Sequence, residues 1–114
     1  MSFRRRLLNA AYQMSCRSRQ MKFDLFWRQI GPVAGSRMLN IGAAPAIVGQ
    51  EHYGTHAGTE QPEQDPRFAA LRIVGCNLAF KDVRAYREHY GARGWTGVVA
   101  DACRLPFPDK SFDV

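Results

Sequence analysis

Three polar side chains stand at or near the point where an apolar run stops. They are Asn40 in Met38-Leu39-Asn40-Ile41, Asn77 after Ile73-Val74-Gly75-Cys76, and Asp101 after Val98-Val99-Ala100. Each carries an oxygen that can accept a hydrogen bond from a ligand hydroxyl or amino group. The first run continues into the small residues Gly42-Ala43-Ala44-Pro45-Ala46. A strand that breaks into such a turn opens many nucleotide-binding α/β folds, because a cofactor can lie against the bare backbone. The chemistry expected is recognition of a nucleotide-like ligand. No residue can be named as a general base.

Other reactive side chains carry less. His52 and His56 have a spacing that suits a metal on a helix, with Glu51 beside them, but Gly54 between them argues against a regular helix. They are read as exposed loop histidines, and no metal site is expected. Cys16, Cys76 and Cys103 are odd in number and lack metal-ligand spacing, so reduced thiols in a cytoplasmic protein are expected. Cys76 sits in an apolar run and reads as a small core residue.

The elements that must position these residues follow from periodicity. Met38, Leu39 and Ile41 predict a short buried strand. Arg72 to Cys76 predicts a second, ending at Asn77, and Gly97 to Ala100 a third, ending at Asp101. Lys81 to Tyr90 predicts a helix with Val83, Tyr86, Tyr90 and Ala79 sharing a face, closed by Gly91 and Gly94. Residues 48–66 read as a long surface loop, and 105–109 as a Pro-rich turn. Ser111 to Val114 begins another apolar element. This βαβ alternation predicts a parallel sheet whose ligands bind beyond the carboxyl ends of its strands.

Before this lies a basic segment. Up to Arg28 there are seven Lys and Arg (Arg4, Arg5, Arg6, Arg17, Arg19, Lys22, Arg28) against Asp24 alone, which accounts for the whole net charge of +6. Phe3 to Tyr12 predicts one or two amphipathic turns, and residues 15–20 a loose connection. A second helix is predicted over 19–30, where Phe23, Phe26, Trp27 and Ile30 share a stripe and Gly31-Pro32 end it. Such an arm can contact nucleic acid or an anionic membrane surface, or simply be solvated. No apolar run approaches a membrane span. The division expected is a basic helical extension over 1–30 and a partial cofactor-binding domain over 31–114.

Three segments together resemble the class I S-adenosylmethionine-dependent methyltransferases, and within them the type 11 group. Met38 to Ala46 resembles the family's first motif, apolar-apolar-Asp-apolar-Gly-x-Gly-Pro-Gly. Ile73 to Leu78 resembles the second. Val99 to Val114, with Asp101, Leu105-Pro106-Phe107, Asp109 and Ser111-Phe112-Asp113, is similar to the third and is the most specific. The resemblance implies a Rossmann-like α/β fold, here truncated after about three parallel strands, with S-adenosylmethionine as cofactor. It implies cofactor contacts at Asn40, Gly42, Ala44 and Ala46 in the first motif and at Asn77 on the ribose hydroxyls. Leu78 would lie on the adenine face, Asp101 on its amino group and the Ala102 N–H on its ring. The chain departs from the pattern by amides at positions 40 and 77 and by alanines at 44 and 46.

The family's sheet has seven strands, so this chain is expected to supply the cofactor half, with no recognisable site for the methyl acceptor and with its first strand as an exposed edge. The function expected is S-adenosylmethionine-dependent methyl transfer. The alternatives are a non-catalytic Rossmann-like interaction module, a basic RNA-associated protein, or a Rossmann-type binder of a nicotinamide cofactor.

Overall fold

A computed structural model describes residues 2–43 and 61–114. The chain divides into two compact units, residues 1–31 with 46–65, and 32–45 with 66–114.

In the first unit, residues Phe3–Gln29 form one continuous helix, α1. This corrects the expectation of two helices joined by a loose connection. No proline or glycine interrupts the sequence from Phe3 to Ile30, and Arg, Gln, Met and Lys all favour the helical state, so the polar middle gives no reason to break. Ser2 caps the start, its hydroxyl accepting from the Arg5 N–H at 3.3 Å. Gly31 and Pro32 follow the last turn, as expected. Phe23, Phe26 and Trp27 are half-buried, with Phe26 and Trp27 edge-to-face at 5.8 Å, whereas Ile30 is exposed. Residues Pro62–Gln64, within the predicted loop, instead form a 3₁₀ turn held by the Gln64 side chain on the Gln61 N–H at 2.9 Å.

The second unit is a three-stranded parallel sheet in the order β1 (Arg37–Ile41), β2 (Arg72–Asn77), β3 (Thr96–Val99). A 3₁₀ turn, Pro66–Ala70, leads into β2, and the helix α2 (Phe80–Tyr90) joins β2 to β3. This is the Rossmann-like arrangement the alternation predicts. Register sets Met38 opposite Ile73, and Cys76 between Ile41 and Val98.

The core gathers Met38, Ile73 and Cys76 from the sheet with Phe68, Leu71, Val83, Tyr86, Tyr90 and Trp95. Val83, Tyr86 and Tyr90 recur along one side of α2, as their spacing predicts. Tyr86, Tyr90 and Trp95 pack in sequence with ring centres 4.8 and 5.6 Å apart, and the Trp95 indole N–H donates to the Leu71 carbonyl at 3.0 Å. The first strand is less buried than expected: Met38 is enclosed, Leu39 half-buried and Ile41 53% exposed.

The outer edge of β1 is not bare, which is a second correction. The Asp113 and Val114 N–H groups donate to the Arg37 carbonyl at 2.8 and 3.1 Å, and the Leu39 N–H donates to the Val114 carbonyl at 3.0 Å. The bonds that flank Met38 have the pattern of a parallel ladder. The Leu-Pro-Phe segment delivers the chain to this edge. Phe107 packs edge-to-face on Phe112 at 4.9 Å, the Ser111 hydroxyl donates to the Pro108 carbonyl, and Asp113 pairs with Arg37 at 3.3 Å. The pair is half-exposed, and the guanidinium beside Asp113 holds its carboxyl below the usual range.

Candidate functional site

The carboxyl ends of the three strands are stitched together by backbone bonds. The Gly42 and Ala43 N–H groups both donate to the Cys76 carbonyl, at 2.8 and 3.0 Å, and the Ala100 N–H donates to the Asn77 carbonyl at 3.1 Å. These bonds hold the turn after β1 over the end of β2 and the end of β2 beside the exit from β3. Gly42 has a φ of +77°, a left-handed conformation that favours glycine, and nothing lies within 4 Å of where its side chain would begin. The backbone there is bent and bare.

Above these ends lies a cleft of about 260 Å³ lined by Ile41, Gly42, Cys76, Asn77, Leu78, Ala100, Asp101 and Ala102. Five of the eight positions implicated by the sequence, Gly42, Asn77, Leu78, Asp101 and Ala102, therefore meet in one place. Asn40 does not line the cleft; it is half-buried within β1. Ala44 and Ala46, together with His52 and His56, lie outside the described residues.

Each lining group has a distinct capacity. The Asn77 side chain bridges two backbones: its Nδ2 donates to the Ala43 carbonyl at 3.0 Å, and its Oδ1 accepts from the Ala79 N–H at 3.0 Å. Among the described residues one amide hydrogen and one lone pair remain unused. Asp101 uses Oδ1 to accept from the Cys103 N–H at 2.9 Å, and the Arg104 N–H closes the turn on its carbonyl at 2.9 Å. Among the described residues the second carboxylate oxygen has no partner, and Asp101 is exposed. The Ala102 N–H has no acceptor among the described residues. Leu78, 73% exposed, stands as an apolar wall. Cys76 is 1% exposed on the floor, and burial pushes its thiol pKa up, the Gly42 backbone opposing this. It is an inert core thiol, as its apolar setting predicts.

A buried layer supports the floor that the sequence reading did not single out. Gly75 lies between Tyr86 and Ala43, and a Cβ there would come 2.8 Å from the Tyr86 ring and 2.9 Å from the Ala43 Cβ. A bare backbone in mid-strand lets α2 and the turn after β1 close on the same point of β2. A glycine inside an apolar strand was the available signal.

Two larger hollows have other settings. One of about 430 Å³ lies at the amino ends of β2 and β3, beside Arg93, which stacks on Trp95 at 5.2 Å. Another of about 580 Å³ runs along α1 past Met14, Met21 and Leu25. In parallel sheets the carboxyl ends are where ligands bind, and among the described residues the 260 Å³ cleft lies there and brings together the acceptor and donor just described.

A family model described as a methyltransferase domain matches residues 53–114. The demethylmenaquinone methyltransferase of Thermobifida fusca (strain YX) is 29% identical over 97 residues, covering 81% of this chain and 41% of that protein. The chain thus spans about two fifths of the length of the curated relative it matches.

Proposed function

Given that the chain belongs to the type 11 methyltransferase domain family, we propose that its cleft binds S-adenosylmethionine and forms the cofactor half of a methyltransferase. The observation that carries this reading is the meeting of Gly42, Asn77 and Asp101 at the ends of three adjacent parallel strands. The donors and acceptors fit the group chemically. Bare backbone at Gly42 suits the methionine portion. The remaining lone pair and hydrogen of Asn77 suit the two ribose hydroxyls. The open oxygen of Asp101 suits the adenine amino group, the Ala102 N–H a ring nitrogen, and Leu78 the face of the base.

When bound, S-adenosylmethionine supplies an activated methyl group at a sulfonium, transferable by in-line displacement to a nucleophile. The chain's own residues contribute binding and orientation, which is the main source of rate in such a displacement. Ala44 and Ala46 belong to the same proposal as the small residues that follow Gly42 in the sequence, and Asn40 as the polar residue of β1. The Thermobifida relative is named for demethylmenaquinone. For the present chain the proposal stops at the cofactor, because no residue is assigned to the acceptor.

A second reading, a Rossmann-like module without catalysis, is favoured by one observation. Asn77, which stands where the family usually has an acid, uses both ends of its amide on the protein's own backbone. Equilibrium dialysis against S-adenosylhomocysteine separates the two. Retention by the wild type, weakened about tenfold by Leu78→Asp, supports the cofactor site, since burying such a side chain contributes roughly 1.5–3 kcal/mol. Leu78 is exposed, so the substitution leaves the fold intact. No retention at millimolar ligand by folded protein favours the module.

A further inference from the structure

α1 carries two apolar faces. Phe23, Phe26 and Trp27 occupy the half-buried one. The other holds Phe3, Leu7, Met14, Met21 and Leu25, exposed by 81, 59, 70, 70 and 46%. At 3.6 residues per turn these five side chains fall within about 40° of one another, on the side away from Phe23. The stripe runs nearly the length of the 27-residue helix. Cations border it on both sides, Arg4 and Lys22 along one edge and Arg17 and Arg28 along the other, all four exposed. The only acid on the helix is Asp24.

We propose that this face of α1 docks on the surface of an anionic lipid bilayer, the helix lying in the interface plane. The bordered stripe is the arrangement an interfacial helix needs: large apolar side chains enter the headgroup boundary while the arginines and lysine meet lipid phosphates. Charge selects this occupant over a second copy of the chain. Packing two such stripes together would bring both rows of cations against like charge. The stripe also selects a bilayer over nucleic acid. Phosphate-backbone binding uses the cations but leaves five large apolar side chains in water, and none of them is a stacking ring except Phe3. Among the described residues no helix is long and apolar enough to cross a membrane, so attachment here is peripheral.

The test is flotation of the full chain with vesicles of phosphatidylglycerol and phosphatidylcholine, compared with pure phosphatidylcholine. The wild type floats with the anionic vesicles and stays behind with the neutral ones. Met14→Gln with Met21→Gln lowers the bound fraction at limiting lipid about tenfold, and Arg17→Gln with Lys22→Gln does so at least as strongly. Far-ultraviolet circular dichroism checks that the helix persists in each variant. Because a general loss of folding would also reduce flotation, Phe3→Trp supplies a separate readout: quenching by brominated acyl chains is expected only with anionic vesicles. Failure of the wild type to float, or flotation that Met14→Gln with Met21→Gln leaves unchanged, overturns the proposal. So does salt-sensitive RNA binding without vesicle binding.

Discussion

The Asn77 side chain donates to the Ala43 carbonyl at 3.0 Å, tying the end of β2 to the turn after β1. A carboxylate at this position could not make that bond, having no hydrogen to give. The amide is therefore more than a weakened acid. It holds down the backbone over which a cofactor would lie. Asn77→Asp is expected to lower stability by about 1–2 kcal/mol in urea titrations, through a lost bond and repulsion at the carbonyl. Affinity for S-adenosylmethionine should rise severalfold, since a carboxylate makes stronger bonds to ribose hydroxyls. Unchanged stability would contradict the role given to Nδ2.

Gly75 is expected to tolerate no side chain. Its Cβ would meet both the Tyr86 ring and Ala43 at under 3 Å. Gly75→Ala should cost about 1–3 kcal/mol by overpacking and displace Ala43, so ligand binding falls with stability. Gly97→Ala is the control. Its nearest contacts are 3.2 Å to the Val83 side chain and carbonyl, tight but less severe than the approaches at Gly75. Thermal melts of the two variants are expected to rank in that order.

The Arg37–Asp113 pair gives a pH signature. Hydrogen bonds from the Arg37 side chain and backbone lower the Asp113 pKa in the folded state. The folded protein thus holds this proton less tightly than the unfolded chain, and the pair stabilises the fold above the unfolded value, about 3.9 for an aspartate. That contribution is lost as pH falls through the depressed folded value. Asp113→Asn should therefore reduce the melting temperature near neutrality, with the gap to wild type closing below about pH 4. The effect is small, because the pair is half-exposed. A gap independent of pH would assign it to the backbone pairing of residues 113–114.

The strands and α2 were legible because apolar runs and a helical face are strong local signals, and Asn77 and Asp101 were found where those runs end. The continuity of α1 was not. A polar stretch resembles a linker unless the lack of a breaker between Phe3 and Ile30 is weighed, and opposite apolar faces blur the period of either one. The pairing of Asp113 and Val114 with β1 was hidden because so short a contact has no periodicity. The donor role of Asn77 was hidden because it depends on a carbonyl 34 residues away.

Calorimetric titration of the full chain with S-adenosylmethionine tests the central claim most directly, with Asp101→Ala and Asp101→Asn run beside the wild type. A saturable heat is predicted for the wild type, with affinity about tenfold or more lower in Asp101→Ala, as expected for losing a bond to a charged acceptor. Asp101→Asn should lose less, because an amide oxygen still accepts. Absence of heat at millimolar ligand from folded protein, or equal affinity in Asp101→Ala, would contradict the assignment of this cleft.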